Sequence, residues 1–143
     1  MSEQQYAGFW IRMIASIIDT VFLVIVLLVI AFALYSAGLI TDNPDDLGVV
    51  GIFLNYVIPP ILVIIFWHYK SATPGKLITH ISIVDAETGG KPSFGQFMIR
   101  YIAYYISAIP LLLGFIWVGF DKKKQGWHDK IAKTVVTKTS IKP

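Results

Sequence analysis

Residues 8–32 read GFWIRMIASIIDTVFLVIVLLVIAF, and the only charged residues in this stretch are Arg12 and Asp19. About 20 helical residues cross a hydrocarbon core of about 30 Å, so the stretch is long enough to span a membrane. An aspartate at the centre of such a helix costs about 2.5 to 3.5 kcal/mol, but each large aliphatic residue returns about 0.3 to 0.6 kcal/mol, so the helix still inserts. An ionisable residue within a membrane helix is by default a functional-site hypothesis. Asp19 is therefore the first candidate for a functional group.

Composition extends this interpretation to the whole chain of 143 residues, which is 55% hydrophobic and only 15% charged. A soluble core cannot account for so many apolar side chains, and the composition predicts a membrane protein. The chain has no cysteine, which excludes disulfides and thiolate metal sites.

The apolar runs and turn residues predict one membrane domain over residues 1–143, with an all-α membrane fold and a small cytoplasmic β element. Two full transmembrane helices are expected at about 9–37 and 48–69. A strand and turn follow at about 77–92, because the hydrophobic pattern there changes from helical to alternating. A third apolar segment at about 94–120 is interrupted by Pro110 and Gly114, and a basic tail occupies 121–143.

The distribution of cations predicts which side of the membrane each loop faces. Residues 38–47 contain no Lys or Arg, whereas residues 70–100 contain four and the tail contains seven lysines, Lys142 among them. Cytoplasmic loops are enriched in these residues, so the N-terminus and residues 70–100 are expected inside. The tail joins them if residues 94–120 form a re-entrant segment that breaks near Pro110 and returns. The alternative is a kinked third span with the tail outside.

The first helix carries its polar residues on one face, because Arg12, Ser16 and Asp19 are spaced i, i+4, i+7. Arg12 and Asp19 lie about 10 Å apart along the helix axis, so each is expected to need a further partner. Asn55 is a candidate partner or ion ligand, since the sequence NYVIPP at 55–60 frees backbone carbonyls beside its amide. The alternative is an ordinary proline kink.

Other patterns argue against catalysis and cofactors. ATPGK at 72–76 lacks the glycine and the hydroxyl residue of a phosphate-binding loop, and the three histidines lack metal-ligand spacing. We therefore expect no enzyme, no metal, no cofactor and no nucleic-acid partner. The basic sequence KKKQGWHDK at 122–130 is expected to contact anionic lipid headgroups. The four tryptophans lie at apparent span ends and are expected to be interfacial anchors: Trp10, Trp67, Trp117 and Trp127.

Three segments resemble the RDD family of bacterial membrane proteins, which is named for one arginine and two aspartates. They are RMIASIIDT, TPGKLITHISIVDAETGGKPSFGQFMIR and KKKQGWHDKIAKTVVT. By this resemblance the name-giving residues are Arg12, Asp19 and Asp129, and the location is the bacterial cytoplasmic membrane. If Asp129 belongs with Arg12, both lie on one membrane face, which favours the re-entrant segment. ITHISIVD and KTVVTK are then expected to pair as strands.

Two functional hypotheses follow. The first is transport of ions or small solutes, for example the sodium/proton exchange proposed for similar proteins, by a homo-oligomer. Asp19 would carry the ion or proton, Arg12 and Asp129 would be its charge partners, and Asn55 and Ser16 would supply polar lining. The second is a non-transporting assembly or docking module, in which Arg12 and Asp129 lock the tail in place and Asp19 pairs with a partner membrane protein.

Overall fold

Two long apolar helical segments dominate the computed structural model, which describes residues 5–110 and 112–139. Leu111, in the predicted broken segment, and residues 140–143, which include Lys142 of the predicted tail, lie outside this described part. By length and composition, Phe9–Ser36 and Pro44–Ile78 are each able to cross a membrane. The fold is mostly helical, as predicted, and its helices are α1 Phe9–Ser36, α2 Pro44–Ile52, α3 Ile58–Lys70, α4 Pro74–Ile78, α5 Phe94–Ala108, α6 Leu113–Ile116 and α7 Trp127–Ile131.

The second long segment contains a π-helical turn, Phe53–Val57, between α2 and α3. Pro59 has no N–H and cannot bond to the carbonyl of Asn55, so the chain widens by one residue just before it. The N–H of Ile58 accordingly donates to the carbonyl of Phe53. The prolines are thus accommodated by a local change of helix type.

A short antiparallel sheet joins two distant parts of the chain. Strand β1, Ile81–Asp85, pairs with β2, Thr134–Lys138, which confirms the expected pairing of the two strand-like segments. The expectation that the strand begins near residue 77 is wrong, because Pro74–Ile78 forms the helix α4. A proline is well tolerated at the first position of a helix, and Thr73 stands at its N-cap.

The residues before α1 are attached to this sheet. Tyr6 forms an isolated bridge with Thr137 in β2. The N–H of Ala7 donates to the carbonyl of Val136 at 2.8 Å, and the N–H of Lys138 donates to the carbonyl of Gln5 at 2.8 Å. The start of α1, the segment after α4 and the end of the described chain therefore meet at one end of the molecule.

The third apolar segment is broken, as its sequence predicted. Helix α5 and the stretch Leu113–Gly119, which consists of α6 and a 3₁₀ turn, are bent by 112° relative to each other. Leu112 adopts a left-handed conformation with φ of 64° at the bend. Gly114 allows the returning chain to approach closely, because a Cβ there would lie 2.6 Å from the Cα of Ser107.

The core lies beside the sheet and is centred on Trp67, which is 1% exposed. The ring of Trp67 lies 5.9 Å from that of Phe97 and 5.6 Å from that of Tyr104. The expectation that Trp67 is an interfacial anchor is therefore wrong, whereas Trp10 is 70% exposed. In contrast, none of the most apolar 18 residues of either long segment is buried within the chain.

Candidate functional site

Asp129, in the first turn of α7, is fully buried and accepts hydrogen bonds from three segments. Its Oδ2 accepts from Nη1 of Arg12 at 2.5 Å and from the N–H of Gly126 at 2.9 Å. Its Oδ1 accepts from Nη1 of Arg100 in α5. Buried carboxylates persist when their charge is paired and their lone pairs are occupied, and both conditions hold here. We call Arg12, Arg100 and Asp129 the arginine–aspartate lock.

Both arginines of the lock are held by further acceptors. Arg12 donates from Nε to the carbonyl of Ala7 at 3.0 Å and from Nη2 to the carbonyl of Lys124 at 2.7 Å. Nη1 of Arg100 also donates to Oγ1 of Thr134 in β2 at 2.7 Å. The lock therefore ties α1, α5, α7 and the sheet together.

The electrostatics of α7 follow from this geometry. Burial acts to raise the pKa of Asp129, but the guanidiniums of Arg100 and Arg12 outweigh it and hold the pKa well below its usual value. Burial lowers the pKa of the neighbouring His128 from 6.5 to about 3, against the attraction of Asp129. Asp129 is thus ionised and His128 neutral near pH 7.

His128 is packed as an uncharged ring. Its ring centroid lies 4.5 Å from that of Tyr104 and 5.0 Å from that of Phe115. The hydroxyl of Ser107 accepts a hydrogen bond from the backbone N–H of His128 at 3.1 Å. These contacts connect α7 to both helices of the bent pair.

The carboxylate of Asp19 accepts hydrogen bonds from neutral donors and takes no part in the lock. The hydroxyl of Thr73 donates to its Oδ2 at 2.5 Å, and the N–H of Gly75 donates to its Oδ1 at 2.7 Å. Asp19 thus caps the N-terminus of α4, where a negative charge is favourable. The approach is close, because a Cβ on Gly75 would lie 2.0 Å from the carbonyl oxygen of Ala15.

A cavity of about 700 Å³ lies between the start of α1, α3, α4 and the bent pair α5–α6. Its lining is largely apolar, yet Asp19 and three cationic residues contribute to it. Lys76 in α4 is only 8% exposed, and its Nζ lies 3.4 Å from Oγ1 of Thr73. The polar and charged lining includes Arg12, Ser16, Asp19, Lys76, Arg100 and His128.

The structure brings together some of the residues proposed from the sequence and separates others. Arg12 contacts Asp129, and Ser16 and Asp19 line the same cavity. Asn55 is exposed, donates its amide to the carbonyl of Gly51 at 2.8 Å, and does not line the cavity. In residues 5–110 and 112–139, no group of three or more His, Cys, Asp or Glu is placed to hold a metal ion.

Sequence reasoning missed three contributors to this region. Arg100 is the only charged residue of the apolar segment at 94–120, and this isolation was the signal that it needed a buried partner. Thr73 and Gly75 were examined only as part of a phosphate loop. The Thr-Pro sequence at the start of α4 is a typical helix start, and it marks N–H groups that a carboxylate can cap.

These features define a class of protein. It is a mostly helical chain with two long apolar segments and a small sheet, in which one arginine contacts one aspartate and lines a cavity with another. The chain belongs to the RDD family, whose model matches residues 6–133. The family, the apolar helices and the name of one relative together support a membrane protein.

The relatives align with this chain over different shares of their own length. Protein YxaI of Bacillus subtilis is 34% identical over 91% of this chain and 95% of its own length. Protein RP437 of Rickettsia prowazekii is 41% identical, but the match spans 53% of this chain and only 42% of that protein. The membrane protein YteJ of Bacillus subtilis is 28% identical over 92% of this chain and 80% of its own length. No solved structure matches the chain.

Replacing Asp129 with Asn is expected to lower the free energy of unfolding by about 3 to 5 kcal/mol, because two buried guanidiniums lose their counter-charge. Unfolding of the detergent-solubilised protein measures the change. Asp121→Asn is the matched control, since Asp121 pairs with the partly exposed Lys130 at 2.6 Å, and such pairs contribute at most about 1 kcal/mol. A loss in Asp129→Asn no larger than in the control would contradict a stabilising lock.

The free energy of unfolding is expected to decrease as the pH decreases, because His128 must stay neutral in the folded protein. Its folded pKa of about 3 lies below the ordinary 6.5, so the unfolded state binds the extra proton as pH decreases between these values. The slope approaches about 1.4 kcal/mol per pH unit. Between about pH 7 and pH 5, His128→Phe should flatten the pH dependence of the unfolding temperature, whereas the exposed-site control His68→Phe should not. Equal slopes in all three proteins would rule out this role.

Proposed function

We propose that the protein is a multi-pass protein of the bacterial cytoplasmic membrane, with both ends in the cytoplasm. Support comes from the sheet, in which Tyr6, β1 and β2 meet at one end of the molecule. The 112° bend of the third apolar segment supports a segment that enters and leaves the same face. The lysine-rich tail and the cation-free loop at 38–47 support the cytoplasmic assignment of that face.

This orientation is testable because the chain has no native cysteine. An impermeant maleimide added to intact cells is expected to label Asp42→Cys and to spare Glu87→Cys and Lys123→Cys. All three residues are exposed in the structure, so access depends on sidedness alone. Permeabilised cells provide the control for reactivity. Labelling of Lys123→Cys but not Glu87→Cys in intact cells would contradict the re-entrant segment.

We further propose that the protein transports an ion or small solute, with Asp19 as the group that binds it and with no enzymatic reaction. The observation that carries this proposal is the cavity, in which Asp19 lines a largely apolar space. Intramembrane carboxylates commonly mark ion or proton pathways. Asp129 is less suited to this role, because both of its oxygens are engaged by arginines. Asp19 has no cation within salt-bridge distance among the described residues.

A hydrogen-bonded chain supports Asp19 as the exchanging group. The Thr73 hydroxyl donates to Asp19 and lies within hydrogen-bond distance of Lys76 Nζ, so one side chain connects the acid to the buried ammonium. A change of charge at Asp19 would therefore alter the electrostatic potential at the Lys76 ammonium. Sodium exchanged against protons is the specific form of this proposal.

We propose that the working unit is a homo-oligomer in contact with anionic lipids. One subunit has too few helices to enclose a path, and the most apolar parts of both long segments bury no residue within the chain. A second copy would cover part of this surface and close the cavity toward the lipid. The lysines at 122–124 would contact the headgroups, each contributing about 1 kcal/mol near an anionic surface.

Reconstitution tests the transport proposal. Liposomes containing the purified protein and an internal pH dye are expected to show a sodium-dependent pH change, which Asp19→Asn abolishes. Asp42→Asn is the matched control, because Asp42 is an exposed acid remote from the cavity. The side-chain amide of Asp19→Asn can still accept the hydrogen bond from Thr73, so this variant is expected to fold. The folded fractions of the variant and the wild type are compared as a check. No ion-dependent pH change in any of these proteins would reject transport of this kind.

The alternative is a docking module, and the lock favours it because three segments are fixed by one carboxylate. In that case Asp19 would pair with a partner's membrane helix. Exchange of charge between Arg12 and Asp129 cannot restore such a lock, since Arg100 would then face a second arginine. Capture of a defined membrane partner by the wild type but not by Asp19→Asn, together with inactive liposomes, would favour this function.

A further inference from the structure

Three buried nitrogen donors line the cavity and lack good acceptors. Nε1 of Trp67 and Nε of Arg100 have no hydrogen-bond partner in the described residues, although Trp67 and Arg100 are each 1% exposed. The ammonium of Lys76 has, within the same residues, a single hydrogen-bond acceptor, Oγ1 of Thr73 at 3.4 Å. That oxygen already donates its proton to Asp19. Unsatisfied buried donors are costly, and a set of donors of this kind suits an anion.

Lys76 and Arg100 both lie near the ring of Trp67. Nζ of Lys76 lies 5.9 Å from the ring centroid of Trp67, and Cζ of Arg100 lies 5.5 Å from it. Two cationic side chains thus lie near one indole ring on the wall of the cavity. An anionic headgroup bound there would accept charge-assisted hydrogen bonds, which are shorter and stronger than neutral ones.

The charges lining and backing the cavity do not balance. Arg12, Lys76 and Arg100 are cationic, whereas the carboxylates are Asp19, which lines the same cavity, and Asp129, which pairs with both arginines. His128, packed against Asp129, adds no charge near neutral pH. One positive charge therefore remains uncompensated in largely apolar surroundings, where an unpaired charge is expensive. A ligand with one negative charge would neutralise it.

The rest of the cavity is suited to hydrocarbon. Its apolar lining includes Phe9 and Met13 of α1 and, from the bent pair, Leu112, Phe115 and Ile116. The volume of about 700 Å³ lies within the range of about 300 to 1,000 Å³ that is usual for small-molecule sites. We infer that this cavity binds a monoanionic amphiphile, with its headgroup at Lys76, Arg100 and Trp67 and its acyl chain between α1 and α6.

The shared chemistry is an anionic head on an acyl chain, supplied either by a long-chain carboxylate or by an anionic phospholipid. The inference assumes the membrane placement proposed above but does not require transport. It is measured by binding in nanodiscs without any ion gradient, so its failure is distinguishable from the failure of Asp19-dependent exchange.

Quenching of Trp67 fluorescence tests the site. The full-length chain with Trp10→Phe, Trp117→Phe and Trp127→Phe retains Trp67 as its only tryptophan. In nanodiscs of phosphatidylcholine, dibrominated stearate or dibrominated phosphatidylglycerol is expected to quench it saturably. Whichever of the two quenches at the lower concentration identifies the source of the headgroup. Dibrominated methyl stearate, which keeps the chain but not the charge, is expected to quench only in proportion to its concentration.

Lys76 variants test the headgroup contact. Lys76→Met is expected to weaken saturable quenching by about tenfold, the effect of losing one charge-assisted hydrogen bond. Lys76→Arg should retain most of the binding because it keeps the charge. The matched control is Lys70→Met. Lys70 is the exposed last residue of α3 and does not line this cavity.

The outcomes separate the inference from simpler explanations. Equal saturable quenching by the methyl ester, or equal affinity in Lys76→Met and Lys70→Met, would overturn it. Competition by acetate at the same concentrations as stearate would also overturn it, since the acyl chain would then contribute nothing. If the tryptophan-depleted chain does not fold, the unfolding temperature of the wild type provides the second measurement. Stearate must then raise it more than methyl stearate does, and the difference must be absent in Lys76→Met.

Discussion

The structure depends on a fully buried carboxylate, Asp129, that is stable only because two guanidiniums reach it from separate helices. Removing such a charge from water costs several kcal/mol, which is recovered only when the paired geometry is complete. Arg12 lies in the second turn of α1, so α7 must return to the end of the molecule at which α1 begins. Because α5 supplies Arg100, its chain must turn back before α7, as the 112° bend allows. The electrostatics of one side chain thus restrict the path of the last third of the chain.

The two aspartates of the family name are stabilised by different means. Asp129 is paired with cations, whereas Asp19 is bound by a hydroxyl and a backbone N–H at the start of α4. A carboxylate held by neutral donors keeps its charge uncompensated locally, and the ammonium of Lys76 beyond Thr73 is the nearest link to a cation. We therefore propose a structural role for the lock and ligand binding for Asp19. This division is the physical basis for assigning the two acids different roles.

Sequence patterns predicted the features that depend on local chemistry. The apolar run of α1, the break near Pro110, the alternation in β1 and the separation of Arg12 from Asp19 all follow from spacing and residue type. Patterns did not identify the groups that satisfy each charge, because these lie far apart in the chain: 54 residues separate Asp19 from Thr73, and 29 separate Arg100 from Asp129. Trp67 was assigned to the interface because span ends usually lie there, but β1, α1 and α5 enclose it. Asn55 was expected in the site because of its chemistry, yet it lies within the π turn, where its side chain is exposed and donates to the carbonyl of Gly51.

The lock, Asp19 and Lys76 lie at the end of the molecule where the sheet joins the helices, while the most apolar 18 residues of each long segment bury no residue within the chain. Ion binding at Asp19 and amphiphile binding at Lys76 would therefore occur in one cavity, with Thr73 in contact with both groups. An anion beside Lys76 would change the field at Asp19, so the two proposed binding events would be coupled. Linkage requires that each ligand alter the affinity of the other by the same factor. A membrane component could in this way set the strength of ion binding, because the two sites are joined by a single hydroxyl and need no rearrangement of the lock.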